Sequence, residues 1–425
     1  MKNNLISFLK NSHTAYHACE NEKNALLEGG FIALSESDDW AIEEGGKYFV
    51  ARGGALIAFT VGSLDNFTYK IASAHNDSPV LKIKENPISV TENCGKLNVE
   101  KYGGGIWYSF FDRPLKIAGR VVRKTENGLR AETVTAPFLV TIPSLAIHQN
   151  RGVNDNFAVN VQTDLQPLCA LIDDNFSTAD LFEKIVGENA VSYDLFLTSA
   201  EAPYEFGANN EFLASPRIDN LTSAHALLQA LLSHGESGGI CVAAFMNHEE
   251  IGNMSFDGSD CDFLNNVLRR IAYALRFDDN EYYKALASSF LLSSDNAHAA
   301  HPNHPEKSDP TNRTRLGGGV LIKAQAGGSY ITESLSSAVV KTVLDGAEVP
   351  YQHFYNRADM PSGSTLAPMA VRHVGVLGAD IGIAQLAMHS ACECIAYSDY
   401  EALEKAMRAY YSSTIAIDGN DVTIK

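Results

Sequence analysis

The stretch GICVAAFMNHEEIG, residues 239–252, decides how the chain is read. Ile240 to Met246 is an unbroken apolar run, too short for a buried helix and right for a strand covered on both faces. It runs straight into Asn247-His248-Glu249-Glu250, which puts side chains able to bind protons and cations where the strand ends. The same arrangement recurs on either side. YKIASA (69–74) ends in His75-Asn76-Asp77, SFLLSS (289–294) in Asp295 with His298 three residues on, and DIGIAQLAM (380–388) in His389. Helical patterns alternate with these strands at Leu221–Leu232, Phe263–Leu275, Glu333–Leu344 and Tyr400–Ser412. Such alternation predicts an α/β fold, a mostly parallel sheet flanked by helices.

Between the first two of those strands the texture changes. KIAGRVVRK (116–124) and LRAETVTA (129–136) flank Glu126-Asn127-Gly128, a hairpin signal. The chain therefore reads as one α/β catalytic domain, residues 1–85 and 209–425, interrupted by a β-rich insertion domain at 86–208. Asn4 to about Leu27 reads as a single helix. A length of 425 residues agrees with two domains. The formal net charge of −18 argues against nucleic acid or an anionic membrane as partner, since both select clustered Lys and Arg. Seven cysteines at irregular spacing form neither a zinc knuckle nor a secreted disulfide framework. With no secretory signal pattern and no apolar run of ~20 residues, a cytoplasmic protein is expected.

In open α/β sheets, ligands bind beyond the carboxyl ends of the strands. Here those ends deliver His75, Glu250, Asp295 and His389, and Arg217-Ile218-Asp219 opens a predicted helix. A hydrolytic two-metal site needs a bridging carboxylate, further His and carboxylate ligands, and a separate base. His75, Asp219, Glu250, Asp295 and His389 supply five ligands, and Glu249 stays available as general base. Three carboxylates against two Zn2+ leave net positive charge to acidify a water; Co2+ or Mn2+ suit the same donors. Each residue has an ordinary reading on its own: a polar strand end, a helix N-cap at Asp219, a solvated Glu pair. Their joint placement outweighs those readings. His298, His301 and His304 also offer a short HxxHxxH clip, but Pro302 and Pro305 break the helix that would align them.

AHNDSP (74–79), SPRIDN (215–220), HEEIG (248–252), DNAHAAHPNHPEK (295–307), DMPSGST (359–365) and DIGIAQLAMHS (380–390) resemble the aspartyl aminopeptidases, dinuclear zinc exopeptidases. The likeness runs nearly the whole length and includes GGGIWYSFFDRPLKIAGRV (103–121) and IPSLAIHQNR (142–151). It implies two zinc ions per subunit, one on His75 and Asp295, the other on Glu250 and His389, with Asp219 bridging and Glu249 as base. It implies that Asp77 orients His75, that His298 and Lys323 contact substrate, and that His148 reaches a neighbouring subunit's active site. Asn76, His248 and Asn253 stand where relatives more often carry Thr, Asn and Ser.

The resemblance further implies release of N-terminal Asp or Glu from short peptides. Lys323 is then the first choice for the recognising cation, ahead of Arg357 and Arg217. The insertion would build dimers, and the dimers a homo-oligomer of twelve. The alternatives are another dinuclear hydrolase (a neutral-preferring aminopeptidase, carboxypeptidase or deacylase) or a non-catalytic peptide-binding protein on the same fold.

Overall fold

Four parallel strands, Ile240–Met246, Tyr69–His75, Phe290–Ser294 and Leu377–Leu386, lie side by side in that order at the centre of the main sheet. The structure, a computed structural model, describes residues 2–65, 67–235 and 238–425. Every residue of the first three strands is buried, which is why they read as apolar runs and not as alternation. Register aligns their ends: Met246 pairs with His75, and Ser293 pairs with both Ser73 and Asp380. The carboxyl ends therefore emerge along one edge. Antiparallel strands extend the sheet on both sides, through Ala55–Val61 and Lys47–Arg52 on one and Glu393–Ala396 and Phe212–Ser215 on the other. The α/β class is as the sequence predicts, with parallel order at the centre and antiparallel order at the flanks.

Successive side chains on a strand point to opposite faces, so each central strand feeds two cores. Cys241, Ala243 and Phe245 pack with Leu227, Leu231 and Leu403, from the helices Ile218–Ser233 and Tyr397–Ser412. Val242, Ala244 and Met246 pack with Phe263 and Val267, from the helix Phe263–Ala274, on the other face. Full burial of one Leu or Phe contributes roughly 1.5–3 kcal/mol. Two such clusters make a platform stiff enough to hold unfavourable backbone at its edge. Among the described residues no helix is long and apolar enough to cross a membrane.

The single helix expected over residues 4–27 is two helices, Lys2–Asn11 and Ala15–Glu28. Ser12-His13-Thr14 separates them, and Thr14 takes an extended conformation. The carbonyls freed at the break are not left bare: the buried Arg217 guanidinium donates to Leu9 O and Ser12 O.

A second, antiparallel sheet runs in the order Gly128–Val140, Leu115–Thr125, Ala190–Ser199, Val80–Thr91, Cys94–Tyr102, Leu168–Leu171, over its own core. The predicted hairpin is present, with Thr125 paired to Gly128 and Glu126-Asn127 as its turn. Strand pairing places this sheet between Val80 and Ser199, against the expected 86–208. Its first strand continues directly from the His75 segment, and Tyr204–Phe206 already pairs back with Phe212–Ser215 of the main sheet.

Glu22, in the second helix, is fully buried beneath the edge. Its Oε2 accepts a bond from Asn76 Nδ2 at 3.0 Å, and Oε1 has no hydrogen-bond partner. Burial pushes this carboxyl up from 4.5 to about 8, against the opposing pull of the Asn76 amide. The folded state thus holds a proton that the unfolded chain releases near 4.5. The associated stability is complete below that pH and is lost as pH rises through about 8. Glu22→Gln should melt with the parent at pH 5 and above it at pH 9, by a margin on the order of 4–5 kcal/mol at most. Parallel pH profiles of Tm for the two proteins would contradict this.

Candidate metal centre

His75 is the last residue of its strand, and its Nε2 lies 3.6 Å from Asp219 Oδ1, 3.8 Å from Asp295 Oδ1 and 4.0 Å from Glu249 Oε2. His389 Nε2 lies 3.3 Å from Asp219 Oδ2 and 3.4 Å from Glu250 Oε1. An ordinary N–H···O bond spans about 2.7–3.2 Å, so these contacts are long for hydrogen bonds. They suit pairs of ligands on a shared cation, since two donors each about 2.0–2.1 Å from a tetrahedral zinc stand roughly 3.3 Å apart. Two of the compact donor groups, His75–Asp219–Asp295 and Asp219–Glu250–His389, have Asp219 in common, with one carboxylate oxygen turned to each. A third, His75–Glu249–Glu250, lies beside them.

The backbone is irregular where Asp219, the two glutamates and His389 are delivered. Arg217, His248 and His389 all have left-handed φ, of 59°, 61° and 68°. Such a conformation costs a non-glycine residue about 1–3 kcal/mol and persists only where surroundings enforce it. At His248 the enforcement is visible. Asp257 accepts from Gly54 N and Asn247 Nδ2 and lies 3.0 Å from His248 Nδ1, while Asn253 N donates to His248 O. The chain then leaves the strand as a tight turn, Glu249–Ile251. Adjacent glutamates diverge there, so Glu250 faces His389 and Glu249 faces His75. The turn begins one residue before the glutamates, at His248, and closes at Gly252.

Both histidines have Nδ1 committed elsewhere. His75 Nδ1 is 3.1 Å from the Asp77 carbonyl oxygen, and His389 Nδ1 is 3.0 Å from Gly104 O. A ring that donates from Nδ1 to a carbonyl presents a neutral Nε2, the form that binds a metal. The Asp77 carboxylate lies slightly farther from His75 Nδ1, at 3.4 Å. Its closer partners are the Glu249 and Glu250 amides at 3.1 Å each and the Tyr102 hydroxyl at 2.8 Å. Asp77 therefore orients His75 mainly through its backbone, and its carboxylate fixes the turn that carries both glutamates.

The electrostatics are those of acids crowded around a cation position. Burial, with the neighbouring Asp295, Asp77 and Asp219 charges, pushes the Glu249 carboxyl up to about 8 against the pull of His75. Burial likewise holds Glu250 well above the ordinary carboxyl range. Asp295 goes the other way: burial would raise it, but the Lys323 ammonium and His75 hold it low. Asp219 Oδ1 and Glu250 Oε1 are buried with no hydrogen-bond partner, an arrangement expensive for acids that a dication among them relieves. Imidazole and carboxylate donors in tetrahedral reach fit Zn2+, and fit Co2+ or Mn2+ as well.

The remaining predicted residues fall differently. Lys323 is buried, donating to Asp295 O at 3.0 Å and Asn296 O at 3.1 Å, with Nζ 3.6 Å from Asp295 Oδ2. His298 follows Asp295 closely, with its side chain exposed and its ring 6.3 Å from that of Phe354. His148 lies apart from the cluster, on an exposed stretch of the insertion with Leu145 and Ile147. Arg217 is spent on backbone carbonyls, and Arg357 is paired with Asp359. His301 and His304 sit 5.5 Å apart ring to ring, and among the described residues no metal-binding group includes them.

Sequence reasoning missed three groups that hold the ligands: Tyr102, Gly104 and Glu393. The last had a signal, a lone acid inside the strand CECIA (392–396), where an unpaired carboxylate is rare.

The family model described as aminopeptidase I zinc metalloprotease (M18) matches residues 8–411. A probable M18 family aminopeptidase 2 from Clostridium acetobutylicum is 41% identical over 423 residues, covering 96% of this chain and 98% of the relative. Among solved structures, Ape4 in complex with Nbr1 superposes with a TM-score of 0.90 at 32% identity, covering 96% of this chain and 85% of that one. The S. cerevisiae mApe1 dodecamer gives 0.82 at 24% identity, over 96% and 95% of the two chains, which speaks to the fold. On the matched length and the full-length identity, this chain belongs to the aminopeptidase I zinc metalloprotease (M18) family and is a metallo-aminopeptidase.

Proposed function

We propose that the chain releases single N-terminal residues, preferentially Asp and Glu, from short peptides, by hydrolysis at a two-zinc centre with Glu249 as general base. The observation that carries this reading is the Asp219 carboxylate, whose oxygens face different histidines and so divide the cluster into two ligand sets. His75 and Asp295 complete one set, and Glu250 and His389 the other. Bound zinc would supply Lewis acidity, polarising the scissile carbonyl and lowering the pKa of an attacking water. Glu249 accepts the proton from that water and returns it to the leaving nitrogen. Asp77 keeps Glu249 in place by accepting its amide hydrogen.

For specificity, two of the three Lys323 donors serve carbonyls. The third, with the exposed His298 ring nearby, is the group we assign to an acidic substrate side chain. The inward turn of Lys323 favours one rival, a preference for neutral residues. Hydrolysis of Asp-, Glu-, Leu- and Ala-anilides separates the two. Asp or Glu should lead by tenfold or more in kcat/KM, about 1.4 kcal/mol or more, and N-acetylation should abolish turnover. A Leu optimum would overturn the acidic assignment, and tolerance of the acetyl group would overturn the aminopeptidase mechanism.

The reading extends to assembly, since mApe1 of S. cerevisiae is a dodecamer. We propose the same for this chain, with the exposed stretch bearing Leu145, Ile147 and His148 covered by a neighbour and His148 entering that neighbour's site. Light scattering on the intact protein distinguishes twelve subunits from two.

A further inference from the structure

We infer that Glu393 is a positioning residue that clamps one half of the metal centre, the Asp219–Glu250–His389 set; the inference rests on the two-metal reading above. Glu393 is buried at the start of the strand Glu393–Ala396. Its Oε2 accepts the backbone N–H of Asp219 at 2.9 Å, and its Oε1 accepts the backbone N–H of His389 at 2.6 Å. One rigid carboxylate thus sets the separation of two ligands from distant parts of the chain.

Strand register explains how it comes to lie there. Glu393 pairs with Ser215, and the chain turns back from Ser215 through Pro216 and Arg217 to present Asp219. Both clamped residues need external support. Asp219 has non-helical φ/ψ of −81° and 110° inside the first turn of its helix, and His389 has a φ of 68°. Two backbone amides donating to the two oxygens of one buried carboxyl group hold these conformations. Among the described residues Glu393 makes no ion pair, so a buried acid is kept for this contact.

The other half of the centre depends on it only through Asp219, whereas the Glu250–His389 half has both Asp219 and His389 clamped. The His75 ring is held by the Asp77 carbonyl, and Asp295 by Lys323. Loss of the clamp should therefore loosen one cation more than the other, which a general packing role would not do.

Glu393→Gln preserves shape while replacing one of the two acceptor oxygens with an N–H donor, and Glu393→Ala removes both. Zinc affinity of the intact protein is measured by competition with a chromophoric chelator, resolving two binding steps in the parent. In E393Q one of the two steps should fall about 10- to 100-fold, the range found for groups that orient metal ligands, with the other within about threefold. At limiting zinc E393Q should lose activity, and excess zinc should restore kcat with KM unchanged. E393A should show the same asymmetry, larger; if it does not fold, E393Q carries the test. Unchanged affinities, or equal weakening of both steps, overturn the clamp while leaving the two-metal reading intact. Fewer than two ions on the parent overturns that reading first, and the clamp with it.

Discussion

Glu249→Gln is expected to retain two zinc ions per subunit and to lose roughly two to four orders of magnitude in kcat, the usual contribution of a positioned acid–base group. The amide has the size of the carboxylate and keeps the Asp77 contact, which uses only the backbone N–H of residue 249. It cannot accept the proton of an attacking water. Metal content should hold because Glu249 lies 4.0 Å from His75 and near no other ligand nitrogen, whereas Glu250 has His389 at 3.4 Å. The two measurements divide the possibilities cleanly. Normal turnover removes the general-base role, and loss of an ion makes Glu249 a ligand, as the third donor group would require.

Asp219→Asn should be more severe in a different way. Asp219 is common to the two ligand sets, so losing its charge weakens both at once. The substitution is nearly isosteric and spares the Asp219 N–H donated to Glu393. Metal content should fall together from two ions to fewer than one per subunit at micromolar zinc. If the ions supply several kcal/mol of transition-state stabilisation, kcat/KM should drop roughly a thousandfold or more. Loss of one ion with the second held as tightly as in the parent would show that Asp219 serves a single site.

The strand ends were legible because burial on both faces leaves an unmistakable apolar run, and a charged residue straight after it is conspicuous. That reading found His75, Glu249, Glu250, Asp295 and His389, and the structure brings them together with Asp219. Other features were hidden because they depend on partners distant in sequence. The break at Ser12 shows in the sequence only as weak helix formers; the partner that satisfies its carbonyls, Arg217, lies some two hundred residues on. Tyr102 and Gly104 act from the insertion, through a hydroxyl on Asp77 and a carbonyl on His389, and a carbonyl has no sequence signature at all. The helix Asp279–Ala287 was overlooked although its capping box, Asp278 with Glu281, stands in plain sequence. Arg217 and Arg357 had the reverse fault: their charge was legible, but the carbonyls and the acid that engage them were not.

Diffraction from zinc-loaded crystals at the zinc absorption edge tests the central claim most directly. The account predicts two anomalous peaks per subunit about 3.5–4 Å apart, with the Asp219 carboxylate between them, His75 and Asp295 on one, Glu250 and His389 on the other. A single peak, or peaks away from Asp219, would contradict it.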